Sequence, residues 1–250
     1  MHEGLKLTVF DVRGFFALFR KHHSTTSTLS YSFPPRTTIA GMLAAILGYE
    51  RDSYYSVFSS GKCRIALQVK EAGRHATHTL NYLMTDRPLT VKKLRGLGGR
   101  MPVHLDVLLS GQQGLSQLFY RVFFNHEDGE VQSELTERIR RGRFAYPPCL
   151  GTANYLADVR FVDFVDAEVY RPEGEIDVCT VLPTSVITGL HPQEGTKIFF
   201  EELVPADFSE GRRPARIETY VYGTGAVKAK LNCEVFSCVV DGEKVVGVFM

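Results

Sequence analysis

The chain has 250 residues, with 29 basic and 28 acidic residues, five cysteines and no tryptophan. No run of about 18 apolar residues occurs, so we expect no transmembrane helix. Residues 1–5 lack the basic and apolar parts of a signal peptide. The odd cysteine number, without a Cys-x-x-Cys pair, argues against a disulfide framework or a structural zinc site. We therefore expect a soluble, cytoplasmic protein with no cofactor, no metal and no membrane partner.

The predicted elements begin with a strand at residues 5–12, where apolar and polar residues alternate as in a half-buried strand. A polar loop follows at residues 20–28. Its His22-His23 pair is weak support for a metal site without a carboxylate at ligand spacing. Further strands are predicted at residues 63–69, 103–109, 118–124, 159–165, 178–182, 197–203, 217–222 and 234–240. Asp241-Gly242 between two apolar runs predicts a hairpin turn.

Two helices are predicted. Residues 39–47 have apolar side chains at helical spacing, with Thr37 or Thr38 as the N-cap and Gly48 as the stop. Gly41 inside this helix indicates close backbone packing, because glycine costs helix stability. Residues 131–141 predict the second helix. The order strand, helix, strand, insertion, strands, helix, strands suits an α+β ferredoxin-like domain with a β-rich C-terminal part.

Charge is unevenly distributed although the net charge is close to zero. The turn-rich stretch 74–102 has weak core patterning and contains six basic residues and one acidic residue: Arg74, Arg87, Lys92, Lys93, Arg95, Arg100 and Asp86. A second basic cluster lies at residues 138–143, and acidic residues gather at 194–210. This pattern favours local nucleic-acid binding. The alternative is a set of solvated charged faces.

Two segments resemble CRISPR-associated protein family five of the repeat-associated RNA-binding superfamily. Residues 31–48 read YSFPPRTTIAGMLAAILG, similar to the segment that leads into the first helix of that family's palm. Residues 146–151, YPPCLG, are similar to its Pro-x-Leu-Gly loop. The resemblance implies a ferredoxin-like (RRM-like) palm at residues 1–73 and 103–155. It also implies an inserted β-hairpin-type thumb at residues 74–102 and a β-rich part at residues 156–250.

The resemblance implies a function as well. It predicts a non-catalytic subunit of a type I CRISPR Cascade surveillance complex, closest to type I-B, that binds and caps the 5′ handle of the CRISPR RNA in antiviral defence. The implied partners are this RNA handle, the helical backbone subunit, the large subunit and, through the complex, double-stranded target DNA. Base pairing then reads the target, while the protein holds backbone and shape.

The first candidate RNA contacts lie at the helix start and in the thumb. Arg36 could meet a phosphate together with the backbone N–H of Thr37. The alternative is a solvent-exposed arginine beside a capped turn. The thumb candidates lie among glycines that allow close approach to phosphates, and are Lys92, Lys93, Arg95 and Arg100. Their alternative is a flexible, solvated hairpin.

The remaining candidates are in two other segments. Arg140, Arg141 and Arg143 precede Tyr146, which could stack on a splayed base. The alternative for these arginines is the favourable position of cations at a helix C-terminus. Arg13, Gly14 and Phe15 are candidates at the end of the first strand.

A metal-independent endoribonuclease that processes CRISPR repeat RNA is the alternative function, as in the type I-C branch of the family. Attack by the RNA 2′-hydroxyl needs a base and a stabiliser of the phosphorane. The branch's tyrosine position corresponds to Leu47, and Asn125-His126 is the nearest candidate to the branch's Lys-His pair before the second helix. No catalytic residue is therefore assigned, and Tyr31 and His126 are fallback candidates. A third hypothesis is a β-rich protein-interaction module without RNA affinity.

Overall fold

The computed structural model describes residues 4–24, 28–83, 88–111 and 116–250. The helices are α1 (Arg36–Leu47), α2 (Val91–Leu94) and α3 (Gly129–Arg141). The strands are β1 (Leu5–Gly14), β2 (Phe16–Ala17), β3 (Phe19–Arg20), β4 (Ser30–Tyr31), β5 (Cys63–Glu71), β6 (Gly73–Leu83), β7 (Arg100–Ser110), β8 (Leu118–His126), β9 (Asp158–Tyr170), β10 (Glu175–Val178), β11 (Leu182–Pro183), β12 (Ile187–His191), β13 (Ile198–Ser209), β14 (Arg213–Gly223), β15 (Val227–Leu231), β16 (Val235–Val240) and β17 (Glu243–Gly247). The chain is strand-rich with few helices, which confirms the predicted α+β class.

An antiparallel six-stranded sheet, in the order β17-β16-β9-β1-β8-β5, organises the core. Phe10 of central strand β1 packs in the cluster that contains α1 and α3, whereas Leu7 and Val9 pack against the C-terminal strands. Thr8 is also buried, and its hydroxyl lies 2.7 Å from that of Thr136 on α3. The expectation that β1 is half-buried is therefore wrong, because β1 is covered on both faces.

The helix boundaries follow the sequence at their C-termini. Gly48 ends α1 with a φ of 89°, and Gly142 ends α3 with a φ of 62°. The expected capping of α1 by Thr37 or Thr38 is wrong, since the helix starts at Arg36 and Pro35 occupies the N-cap position. Close packing at Gly41 is confirmed, but the neighbour is a side chain: an added Cβ would lie 2.9 Å from the Tyr54 hydroxyl oxygen.

Strands β6 and β7 form one long hairpin, paired from Gly73 with Ser110 to Leu83 with Arg100. Most β6 side chains are exposed, so this part of the hairpin lies outside the core. The expected end of the thumb at residue 102 and the expected end of the palm at residue 155 do not coincide with the strand pairing. The hairpin continues beyond residue 102, and β9 pairs with β1 in the main sheet.

The C-terminal part adds two three-stranded sheets, ordered β10-β15-β12 and β11-β14-β13. The predicted turn at Asp241-Gly242 is confirmed, with φ values of 54° and 79° between paired β16 and β17. The predicted strand at residues 178–182 is wrong, because β10 ends at Val178 and β11 starts at Leu182. No helix in the described residues has the length and apolar character needed to cross a membrane.

One buried arginine joins α1, β5 and β13. The Arg36 side chain is 1% exposed. Its guanidinium donates to Asp207 Oδ1 at 2.8 Å, to the Cys63 carbonyl at 2.7 Å and to the Ala206 carbonyl at 3.3 Å. Asp207 also accepts the backbone N–H of Ser60 at 3.0 Å. The start of α1 is thus fixed to the C-terminal part by charge-assisted hydrogen bonds.

Replacement of Arg36 by alanine is expected to lower the free energy of unfolding by at least about 2 kcal/mol. The Cys63 and Ala206 carbonyls lose their buried donor, and Asp207 keeps only Arg216, 3.4 Å away, as an ionic partner. Urea denaturation measures this change. Arg143→Ala is the matched control, since Arg143 is exposed, and should change stability by less than about 0.5 kcal/mol. Equal effects of the two substitutions would contradict the anchoring role of Arg36.

Candidate nucleic-acid interface

A cleft of about 790 Å³ opens beside α1. One wall is the small-residue face of α1 around Thr38, Gly41 and Ala45. The other walls are the segment 18–24, the loop 147–152 and the turn around residues 205–212. Both segments that carry the family resemblance therefore line this cleft.

The loop 147–152 is held against β3 by backbone contacts. Leu18 N–H donates to the Leu150 carbonyl at 3.0 Å, and Leu150 N–H donates to the Tyr155 carbonyl at 2.8 Å. Gly151 has a φ of 94°, and an added Cβ would lie 1.9 Å from the Leu18 carbonyl oxygen. Only glycine fits this position.

Basic side chains line the cleft. Arg20, Lys21, His22 and Arg212 are among its lining residues, and none of the described lining residues is acidic. Lys21 forms an ion pair with Glu201, which lies outside the lining. Arg20 is exposed, while Arg212 lies 3.6 Å from Asp52 at the rim. Such a groove favours a nucleic-acid backbone, because phosphate contacts supply most of the non-specific affinity.

A chain of polar side chains extends from the cleft to the hairpin. Lys21 Nζ lies 2.6 Å from Glu201, and Glu201 accepts the Ser32 hydroxyl at 2.7 Å. Ser32 Oγ is also 3.2 Å from His75 Nε2, and His75 Nδ1 is 2.9 Å from Asp106. The contacts from Ser32 to His75 to Asp106 follow the order of a Ser-His-Asp catalytic triad. However, the single Ser32 hydrogen is donated to Glu201, so His75 does not activate Ser32, and we interpret the chain as a tether.

His22 and Tyr31 meet at the cleft wall. Tyr31 is buried and donates its hydroxyl to the Leu203 carbonyl at 2.6 Å. Because that hydroxyl has one hydrogen, His22 Nδ1, 3.0 Å away, must donate to the Tyr31 oxygen. Burial, together with His23, lowers the pKa of His22, and burial raises the pKa of Tyr31 to about 12. Neutral His22 therefore keeps a lone pair on Nε2.

Arg36 is a correction to the expected RNA contacts. The Arg36 guanidinium is buried in its ion pair, and the Thr37 hydroxyl donates to the Pro205 carbonyl at 3.3 Å. The Thr38 N–H at the helix start already donates to the Pro35 carbonyl at 2.8 Å. Arg36 is therefore structural. Thr37 lines the cleft wall, and an RNA contact by its N–H stays a prediction.

The first-strand candidates lie outside the cleft lining. The Arg13 guanidinium lies 4.0 Å from the centre of the Phe119 ring and 3.5 Å from Asp11. Gly14 packs against Leu150, since an added Cβ would lie 2.5 Å from Leu150 Cδ1. Phe15 is 53% exposed. An RNA contact by these residues stays a prediction.

The thumb candidates lie near the tip of the hairpin. Lys92 and Lys93 are in α2, where the Thr90 hydroxyl accepts the Lys93 N–H at 3.3 Å. Lys92, Arg95 and Arg100 are exposed. Several apolar side chains are exposed around them, namely Leu89, Val91, Leu94, Leu97 and Met101. Arg87 lies outside the described residues.

The arginines at the end of α3 are paired along the helix. Arg141 forms an ion pair with Glu137, and Arg140 lies 3.8 Å from Glu137 and 4.6 Å from the centre of the Phe161 ring. Arg143 is exposed beyond the helix. Tyr146 is 55% exposed and lines a second pocket on α1.

His126 is not available for catalysis in this fold. Its side chain is buried, and Nε2 lies 2.9 Å from the Val57 carbonyl, while Nδ1 accepts the Asp128 N–H at 3.0 Å. Tyr31 is buried as well. Neither fallback candidate is therefore a free base.

Four basic cleft residues were missed from the sequence: Arg20, Lys21, His22 and Arg212. The Lys21-His22 dipeptide was a usable signal, since it is a Lys-His pair located before the first helix instead of the second. Arg212 had no local signal, because the fold alone brings it to the cleft. Among the described residues, no cluster of three or more histidine, cysteine or acidic side chains could hold a metal ion.

Comparisons with known proteins identify the family and the fold. The family model for CRISPR-associated protein (Cas_Cas5) matches residues 8–209, so the chain belongs to this family. No curated protein matches. A CRISPR protein from Archaeoglobus fulgidus is similar over 97% of this chain and 99% of that chain, with a TM-score of 0.54 and 15% identity.

Two chains from larger assemblies also share the fold. One belongs to a CRISPR RNA-guided surveillance complex and has a TM-score of 0.50, 14% identity and coverage of 89% of this chain and 91% of that chain. The other belongs to a type III-B Cmr-beta complex bound to cognate target RNA. It has a TM-score of 0.51 and 12% identity, and the match covers 88% of this chain and 86% of that chain.

Gly151→Ala is expected to lower the free energy of unfolding by at least about 1 kcal/mol, because alanine is strained at this φ and meets the Leu18 carbonyl. Gly174→Ala is the control, since an added Cβ there meets nothing within 4 Å. Urea denaturation of both variants checks this. If Gly151→Ala is as stable as Gly174→Ala, the loop does not depend on the close contact.

Proposed function

We propose that this protein is a non-catalytic, cytoplasmic subunit of a type I CRISPR surveillance complex, of type I-B, that binds the 5′ handle of CRISPR RNA. The cleft beside α1, lined by basic side chains, is the observation that carries the proposal. Arg20 and Arg212 line it together with the two segments that resemble the family, and a basic groove suits the backbone of a single RNA strand. The helical backbone subunit, the large subunit and target double-stranded DNA are the proposed partners in the assembly.

The strand order supports a division into palm, thumb and C-terminal part. Strands β1, β5, β8 and β9 with helices α1 and α3 follow the order of a ferredoxin-like palm, with the sheet arranged β9-β1-β8-β5. We propose the hairpin at residues 73–110 as the thumb. Its exposed cations would hold RNA phosphates near the cleft. The β-rich part then begins after β9.

Cleavage of RNA is a second candidate function, favoured by the geometry of His22. A neutral imidazole with a lone pair on Nε2 could accept the proton of a 2′-hydroxyl as that oxygen attacks the adjacent phosphate. The P–O5′ bond then breaks, which gives a 2′,3′-cyclic phosphate, and the leaving 5′-oxygen takes a proton from the imidazolium or from water. Arg20 and Arg212 line the same cleft and could stabilise the charge on the phosphorane. Lys21 is less suited to this role, because its ammonium is paired with Glu201.

Binding of end-labelled repeat RNA in EDTA, at two salt concentrations, tests both functions. The double variant Arg20→Ala/Arg212→Ala should bind more weakly. Its slope of log affinity against log salt should be shallower by about 1.4, since each phosphate contact on a single strand contributes about 0.7. Native gels measure retention, and Lys228→Ala/Lys230→Ala on β15 is the matched control.

Denaturing gels of the same reactions test cleavage. The proposed scaffold leaves the RNA intact. A specific cut that disappears in His22→Ala would establish the second function instead. If the protein shows no salt-sensitive retention of RNA, both functions fail and a protein-interaction module is supported.

A further inference from the structure

A second pocket of about 380 Å³ lies on the same face of α1, towards the helix C-terminus. Gly41, Ala44 and Ala45 of α1 form its floor. Tyr49 and Tyr54 border it. At this recess the helix therefore presents only residues with small side chains or none.

Tyr146 completes the aromatic wall. Its backbone N–H donates to the Ala45 carbonyl at 3.1 Å, and the neighbouring Ala145 N–H donates to the Ile46 carbonyl at 3.1 Å. These bonds fix the backbone of Tyr146 beside α1, while its ring remains 55% exposed. Three tyrosines therefore surround one recess, which is a stacking surface for a flat aromatic group.

The pocket adjoins the cleft. Gly41, Ala45 and Tyr54 line both. An RNA strand in the cleft therefore passes beside the pocket, and one of its bases can be placed there while its phosphates lie near Arg20 and Arg212.

The charges at the rim of the pocket favour a nucleobase over a phosphate group as its occupant. Glu50 lines the pocket, and its carboxylate would repel a phosphate group. Arg51 lies beside it, 3.3 Å from Asp52 and with its side chain 80% exposed, so that its guanidinium can also meet a phosphate outside the recess. The recess itself offers aromatic faces and small aliphatic groups, which suit an uncharged ring.

We propose that this tyrosine-lined pocket takes one nucleobase, splayed out of an RNA strand that occupies the cleft. The proposal rests on the RNA-binding function above and names the part of the handle that the site holds by stacking. The occupant is a single base of any identity, because stacking uses the face of the ring and not its edge. Tyr146 is the exposed partner of that base.

A 2-aminopurine scan of single-stranded repeat RNA tests the proposal with the intact protein. The fluorescent base is moved through the handle one position at a time. One position should be quenched on binding, since it stacks between tyrosines. Tyr146→Ala should abolish this quenching and weaken binding roughly 5- to 150-fold, whereas Tyr146→Phe should retain both.

The control is Phe164→Ala, which removes an exposed aromatic ring on β9 outside the cleft and pocket. It should leave quenching and affinity unchanged. RNA retained with no position quenched, or with quenching that survives Tyr146→Ala, overturns the pocket but leaves the RNA-binding function standing. No RNA retained by the unmodified protein overturns the RNA-binding function itself.

Discussion

The buried ion pair between Arg36 and Asp207 is the constraint on which the rest of the structure depends. It connects residues 171 positions apart, at the start of α1 and in β13. The Cys63 carbonyl of β5 accepts a second nitrogen of the same guanidinium. An unpaired charge at this depth would be strongly destabilising, so the helix and the C-terminal part must take the positions observed.

The cleft is a consequence of that arrangement. With α1 fixed to β13, the turn that carries Arg212 lies across from the basic segment containing Arg20 and Lys21. Gly151 closes the third side through its contact with Leu18. A basic groove therefore forms in a chain whose formal net charge is only +1, because the fold gathers cations that are distant in sequence.

The sequence predicted the structural features that depend on residues close together in the chain. Helix ends at Gly48 and Gly142 and the turn at Asp241-Gly242 follow from residues that are adjacent in the chain. Arg36 was misassigned, because its burial depends on Asp207, which no local pattern reveals. The cleft cations were missed for the same reason, apart from the Lys21-His22 pair. The family resemblance identified two segments that line the cleft, but not which of their side chains face it.

Thiol alkylation tests the position of RNA in the cleft most directly. Cys149 lines the cleft and Cys233 does not, and burial raises the pKa of both thiols. Iodoacetamide labelling with and without repeat RNA, followed by mass spectrometry, compares their rates. We predict that RNA slows alkylation of Cys149 and leaves Cys233 unchanged. If bound RNA leaves the Cys149 rate unaltered, the strand lies elsewhere and the proposed interface is wrong.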